Sequence, residues 1–271
     1  MDKKKLIIIS GIFILIVIFV VLNIKRGNLS LNIKSAGIGS ASSLFNQARE
    51  FEKKNDLPSA KDAYAKLVND FPNSGEVMNW QKKIEDLNIK LLFSPTITPK
   101  SILYEIKPGD TLAKIAKEFK TTVDLIMKNN NLINDRIVPG HKIKVWTAPF
   151  NILVDKSGNI LMLKCDEEVI KNYIVSTGKN NSTPVGTYKI TKKLLNPTWF
   201  KAGAVVPPGS SENVLGTRWM GFDLAGYGIH GTTEPQSLGK QVTQGCVRMS
   251  NSDVEELYSI IPVGTEVTIV D

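Results

Sequence analysis

The sequence predicts a multidomain protein. A β-dominated C-terminal domain, mostly antiparallel with one clear helix, follows a small strand–helix–helix–strand module, a short α-helical segment and one transmembrane helix. Three observations carry this reading. From Asn151 onward apolar residues alternate with period two between Gly, Pro and Asn, the pattern of strands with one buried face. Between residues 41 and 93 they recur at helical spacing. Residues 6–22 read LIIISGIFILIVIFVVL without a charge, which suits the roughly 17–25 residues a helix needs to cross a bilayer.

Composition narrows the class. The chain has 271 residues, 42% hydrophobic and 22% charged, a globular balance with room for one or two domains plus extras. The net charge of +8 is unevenly placed. From Phe150 onward there are 11 Lys and Arg against 12 Asp and Glu, leaving 23 against 14 in the rest. The basic excess therefore lies beside the apolar run and forms no aromatic-interleaved stripe, which disfavours nucleic acid as a partner. It reads as a solvated surface, with attraction to anionic headgroups or wall polymers as the functional alternative. Only two cysteines (Cys165, Cys246) and two histidines (His141, His230) occur. Two cysteines make no disulfide scaffold in a chain this long.

Residues 1–26 are expected to be an uncleaved signal anchor. Lys3, Lys4 and Lys5 precede the apolar run, and Lys25 and Arg26 follow it where a small-residue cleavage site would be needed. Residues 27–40 are small and polar and read as a linker. In 41–93 the helical faces are Leu44, Ala48 and Phe51, then Ala60, Tyr64, Leu67 and Phe71, then Val77, Trp80, Ile84 and Leu87. Pro58 suits the first turn of the second helix, and Pro72 ends it. The spacing of Leu44, Ala48, Phe51, Ala60, Tyr64 and Pro72 resembles one tetratricopeptide repeat with a capping helix, although Leu67 stands where a small residue is usual. One repeat buries little core alone. The segment reads as a spacer, with a groove for a protein partner left open.

After a linker at 94–101, residues 102–147 read strand, Pro108-Gly109 turn, helix, helix, Pro139-Gly140 turn and strand, with Asp110 or Thr111 able to cap the first helix. The runs YEIKPGDTLAKIAKEF, TTVDLIMKNNNL and VPGHKIKV closely resemble a LysM domain. That resemblance implies a βααβ fold binding the glycan strands of peptidoglycan. Its groove residues would be Gly109, Asp110, Thr111, Asn131, Leu132, Ile133 and Asn134, positions that also serve tight turns and caps. His141 reads as surface.

Residues 150–271 hold the candidate chemistry. Strands are expected at 151–155, 160–164, 168–175, 187–192 and 267–270, with a helix at 252–261. A thiol is a nucleophile only as thiolate, so Cys246 needs a base or a positive field, and His230 is the one histidine of this region. Gly245 permits a sharp turn whose N–H groups can face a developing oxyanion. Arg248, two residues on, returns to the same side and could hold a carboxylate. From residue chemistry alone a lone cysteine is as readily a buried apolar group. Cys165, beside Asp166, Glu167 and Glu168, reads as structural.

The stretch from Tyr227 through His230-Gly231-Thr232 to Thr243-Gln244-Gly245-Cys246-Val247-Arg248 resembles the L,D-transpeptidase (YkuD-like) catalytic domain. Supporting matches include Ser176-Thr177-Gly178, Thr183-Pro184-Val185-Gly186, Asn196-Pro197-Thr198-Trp199 and Pro207-Pro208-Gly209. The resemblance implies that Cys246 attacks a tetrapeptide stem of peptidoglycan, releases D-alanine and passes the acyl group to an amine of another stem. It implies His230 as base, Gly231 orienting it through its carbonyl, Gly245 and Cys246 N–H groups as oxyanion hole, and Arg248, Thr232, Tyr227 and Gln244 toward substrate. Many relatives have histidine at Gln244; glutamine does not titrate, so the acid–base work falls to His230. The same thiol with water as acceptor, a carboxypeptidase or endopeptidase, is the enzymatic alternative, and a non-catalytic wall-binding protein the other. No cofactor or metal is expected, since neither ligand clusters nor a phosphate loop occur in the C-terminal half. The wall-directed modules set the orientation: N-terminus inside, the rest in the cell envelope outside the cytoplasm.

Overall fold

The computed structural model describes residues 34–201 and 203–271. The apolar run at 6–22, and with it the expected membrane anchor, lies outside the described residues; among these, no helix is long and apolar enough to cross a membrane.

Three helices come first: α1 (Lys34–Lys53), α2 (Leu57–Asp70) and α3 (Val77–Leu92). The expected linker to residue 40 is overrun, because α1 begins at Lys34. Its alanines and serines tolerate helical geometry, and two glycines weaken it by only about 1 kcal/mol each. Asp56 caps α2 by accepting the Ser59 N–H, with proline in the first turn. Ala48, Ala60, Tyr64 and Leu67, four of the residues expected to face inward, are fully buried.

The next module is β1 (Ser101–Glu105), α4 (Leu112–Glu118), α5 (Val123–Asn129) and β2 (Lys142–Trp146), with β1 and β2 antiparallel. Thr111 and Thr122 cap the two helices. Tyr104, Leu112, Ile115, Ile126 and Val145 form its core. Of the expected groove residues, Asp110 is engaged within the module, accepting from the Tyr104 hydroxyl at 2.9 Å and the Lys107 N–H at 2.8 Å. Leu132 is partly buried against the module's core, while Ile133 is 95% exposed. Asn131 takes a left-handed conformation (φ 54°) and Asn134 accepts the Arg136 N–H.

The C-terminal domain is built on an eight-stranded sheet. Its strands are β3 (Phe150–Asp155), β4 (Ile160–Cys165), β5 (Glu168–Ile174), β7 (Gly186–Leu195), β10 (Arg218–Phe222), β11 (Gly228–His230), β13 (Val247–Arg248) and β14 (Glu266–Val270). They lie in the order β13-β11-β10-β7-β14-β3-β4-β5. Within this sheet β11–β13 and β14–β3 are the parallel pairs among the described residues, and the order places β14, the last strand, in the middle of the sheet. β6 (Thr177–Gly178) pairs with β12 (Gln241–Thr243), and β8 (Trp199–Lys201) with β9 (Ala204–Val206). The helix α6 (Asn251–Ile260) follows β13 and sends Val254, Leu257 and Ile260 into the core. The long alternating strands and α6 lie where the pattern placed them. The two- and three-residue strands β6, β8, β9, β11, β12 and β13 are too short to display a period.

The modules and their linkers do not stand apart: residues 44–271 form one compact unit with a continuous core. Ile89 and Leu92 of α3, Leu125 of α5 and Trp146 of β2 belong to the same buried cluster as Ile152, Leu163 and Val267. Helix α3 covers β5, the open edge of the sheet: Asn88 Nδ2 donates to the Ile170 carbonyl at 3.0 Å, and Asn172 Nδ2 to Glu85 at 2.6 Å. A covered edge cannot recruit foreign strands. The segment 94–101 is tied down as well, through Lys100 Nζ to the Cys165 carbonyl and to Glu168. Buried Lys144 donates to the Leu91 and Ser94 carbonyls at 2.8 Å each, and burial pulls its pKa down to about 8. The Thr122 hydroxyl donates to the Ser259 carbonyl, joining α5 to α6.

Such a core unfolds as one. Leu92→Ala should remove about 2–5 kcal/mol of stability. It should lower one shared denaturation midpoint, monitored by tryptophan fluorescence and by far-UV dichroism. Separate transitions for the helical segment and the sheet would contradict the shared core.

Candidate active site

The sheet's short strands align the chemically capable residues. β11 and β13 run parallel, with Ile229 opposite Val247 and His230 opposite Arg248. Ile229 and Val247 are fully buried in the core. Alternation sends His230 and Arg248 to the other face, and Cys246, one residue before β13, falls on their side. There a cleft of about 760 Å3 is lined by Cys246, His230, Arg248, Tyr227 and Gln244, with Trp199, Phe200, Leu215 and Trp219 among its apolar walls.

Cys246 follows a turn that requires glycine. Gly245 has φ +126°, and a Cβ there would come within 2.6 Å of the Tyr227 ring. Thr243 ties the turn together: its hydroxyl donates to the Cys246 carbonyl at 2.6 Å and accepts the Gly245 N–H at 3.1 Å. The Gly245 N–H, expected in an oxyanion hole, is engaged by Thr243 in this structure. The Cys246 N–H makes no hydrogen bond among the described residues.

His230 is buried and held on two sides. Its ring stacks on Trp219, centroids 5.9 Å apart at 19°. Nδ1 lies 2.6 Å from the Gly231 carbonyl oxygen. A carbonyl can only accept, so Nδ1 carries the proton and Nε2 keeps its lone pair. Burial pulls the imidazole pKa down to about 4; the Gly231 bond opposes this and the Arg248 charge adds to it. Burial likewise pushes the Cys246 thiol up to about 11, against a backbone hydrogen bond from Gly228 and the Arg248 charge. The resting pair is thus a neutral thiol and a neutral imidazole. The geometry agrees: Cys246 Sγ donates to the Gly226 carbonyl at 3.4 Å, and no hydrogen bond joins it to His230.

Arg248 is 7% exposed, and its Nη1 donates to Glu234 Oε2 and Ser237 Oγ, each at 2.9 Å. Its Nε is buried without a partner. Part of the guanidinium expected to clamp substrate is thus already committed inside the protein. Thr232, expected beside substrate, is buried and is not among the residues that line the cleft; its hydroxyl accepts the Glu234 N–H at 2.9 Å. Cys165 is fully buried, and burial is the first cause of its raised thiol pKa, ahead of its acidic neighbours. Sequence reasoning missed Glu234, Trp219 and Asn251, whose Oδ1 accepts the Thr217 and Thr232 N–H groups at 3.1 Å each. None carries a local signal: Asn251 beside Ser250 reads only as a helix start.

Residues 149–269 match the YkuD family, the L,D-transpeptidase catalytic domain, and residues 104–146 match the LysM domain. YkuD of Bacillus subtilis (strain 168), which carries the name of an L,D-transpeptidase, is 34% identical over 175 residues, covering 62% of this chain and 98% of that protein. YqjB of the same organism, named likewise, is 44% identical over 126 residues, 44% of this chain and 70% of that one. A solved L,D-transpeptidase from Mycobacterium smegmatis overlays with a TM-score of 0.39 at 21% identity, covering 50% of this chain and 65% of that one, a likeness too slight to build on. The near-complete coverage of YkuD decides the matter: the chain belongs to the L,D-transpeptidase family and carries a LysM domain.

A thiol with its pKa raised and an imidazole with its pKa lowered leave no preformed ion pair between about pH 4 and 11. Alkylation of Cys246 by iodoacetamide should therefore keep accelerating above pH 9, because thiolate accumulates only as the solution approaches the raised pKa. A rate that levels off near pH 6 would reveal a thiolate–imidazolium pair and overturn this electrostatic reading.

Proposed function

We propose that the protein is a peptidoglycan L,D-transpeptidase of the bacterial cell envelope in which Cys246 is the acyl-transfer nucleophile and His230 its base. The observation that carries the proposal is the shared cleft: thiol, imidazole and guanidinium lie on one face, beside apolar walls that include Trp199, Leu215 and Trp219.

The chemistry follows from the neutral resting pair. A peptide carbonyl seated against the Cys246 N–H replaces water around the thiol. The thiol turns from the Gly226 carbonyl toward His230 Nε2, which takes its proton as sulfur attacks. The oxyanion is held by the Cys246 N–H. When the C–N bond to the terminal D-alanine breaks, the imidazolium returns its proton to the departing amine, leaving a thioester. An amine of a second stem then attacks, its proton passing through His230 to the sulfur, and the thiol is restored. Arg248 supplies a fixed positive charge beside this sequence and lowers the thiol pKa in the direction that favours attack. Tyr227 and Gln244 line the route for substrate. Gln244 does not titrate, so one group, His230, serves both half-reactions.

The LysM module is proposed to hold glycan strands through Gly109, Asp110, Thr111 and the exposed part of Asn131, Ile133 and Asn134. Residues 6–22 are proposed to anchor the chain in the membrane, with residues 102–271 outside the cytoplasm. The helical segment is proposed to act as a structural support rather than a partner groove, since its α3 face is spent on β5.

The test is mass analysis of cross-links formed on defined tetrapeptide stems. Wild-type protein should release D-alanine and yield linked dimers, and Cys246→Ala should yield neither. Dimers formed by the alanine variant would remove Cys246 from the mechanism. Free tripeptide without dimers would assign the hydrolytic reaction instead.

A further inference from the structure

Asn251 has no part in the chemistry assigned so far, yet its side chain holds two backbone segments behind the cleft. It opens α6 directly after Ser250, whose hydroxyl caps the helix by accepting the Asp253 N–H at 3.1 Å. With that cap filled, an asparagine at the first helical position has no helical duty. Its Oδ1 instead accepts the N–H groups of Thr217 and Thr232 from two separate loops, at 3.1 Å each. Both loops are shaped to admit it. A Cβ on Gly216 would stand 2.2 Å from Oδ1, and one on Gly231 also 2.2 Å, so neither position has room for a side chain.

The consequence lies in the peptide unit joining Gly231 to Thr232. Its carbonyl is the oxygen that accepts from His230 Nδ1, and its N–H is the one that Asn251 holds. A trans peptide is a rigid plane whose C=O and N–H point in opposite directions, so holding one end aims the other. An amide whose N–H is engaged is also a better acceptor at its oxygen, because successive hydrogen bonds polarise one another. We propose that Asn251 is a positioning residue for acyl transfer: through the Gly231–Thr232 peptide it holds His230 as the Nδ1–H tautomer and keeps Nε2 free for the Cys246 thiol. The proposal rests on Cys246 and His230 being the reacting pair. In function it parallels the carboxylate that orients histidine in a serine triad, but a neutral amide acts here through one intervening peptide. The imidazole is oriented without a negative neighbour that would hold it protonated.

The test compares Asn251→Ala with Asn251→Asp in the full chain, each also combined with Cys246→Ala. Aspartate keeps an oxygen able to accept both N–H groups, whereas alanine has none. Asn251→Ala should slow acylation of Cys246 by a reactive β-lactam at least about tenfold, as expected when a general base is misaligned. In the Cys246→Ala background, the ring nitrogens of His230 observed by 15N NMR should change from one tautomer to a mixture. Asn251→Asp should restore the single Nδ1–H tautomer and move the acylation profile to higher pH, since a carboxylate favours the imidazolium. The ring signal is read without a reacting thiol, so it decides the proposal even if Cys246 proves not to be the nucleophile. Acylation within about twofold of wild type in Asn251→Ala, with the tautomer unchanged, would overturn it. If Asn251→Ala does not fold, a mixed tautomer in Asn251→Asp would overturn it equally.

Discussion

The 2.6 Å hydrogen bond between His230 Nδ1 and the Gly231 carbonyl is the contact on which the cleft's chemistry depends. It decides which ring nitrogen bears the proton, and hence which is left to serve the cleft. The sheet exists, in a functional sense, to keep that contact in place. β11 is only three residues long, but β10 holds it on one side and β13 on the other. The Met249 N–H donates to the His230 carbonyl and the Gly231 N–H to the Arg218 carbonyl, so the backbone has no slack on either side of the ring. Trp219 completes the hold by stacking on the ring.

Burial sets the electrostatics of the same site. Removing both groups from water favours their neutral forms, which is why thiol and imidazole move in opposite directions on the pH scale. Arg248 helps the thiolate and opposes the imidazolium, so its charge alone cannot create an ion pair. Its own burial is made tolerable by Glu234 and Ser237. A site so arranged keeps the thiol protonated at neutral pH, and under the proposed chemistry it becomes a nucleophile only when a substrate carbonyl changes its surroundings. A protonated thiol is also a poorer target for oxidants than a thiolate, so the same burial protects the sulfur.

Much of this was legible in the sequence, for identifiable reasons. Long strands such as 150–155 and 160–165 show a period, and α6 shows its apolar face, so both were readable. Cys246 and His230 stand out because the chain holds only two cysteines and two histidines, and Arg248 through its spacing from Cys246; the role of Gly231 comes only from the family resemblance. Gly245 was readable as a turn but not as a donor, because the Thr243 hydroxyl that engages its N–H is an ordinary residue two positions earlier. Asn251 was invisible because its meaning lies in two loops far from it in sequence, at Thr217 and Thr232. The shared core escaped for a similar reason. Ile89, Leu92 and Trp146 look like the interior residues of their own modules, and nothing local says that they also face a common neighbour.

That shared core changes what the LysM module can do. A binding module on a flexible tether raises the local concentration of its ligand without controlling orientation. Here α5 is bonded to α6 through Thr122 and Lys128, and Lys144 is fastened to the end of α3, so the LysM module and the cleft belong to one rigid core. If the module holds a glycan strand as proposed, that strand presents its stems to the cleft in a fixed orientation. The helical segment earns its place in this arrangement by covering β5 and supplying the carbonyls that anchor Lys144. Its tetratricopeptide-like spacing is then read as that of a helical segment whose last helix, α3, closes the edge of a sheet, since Asn88 is bonded to β5 and Ile89 and Leu92 are buried in the transpeptidase core.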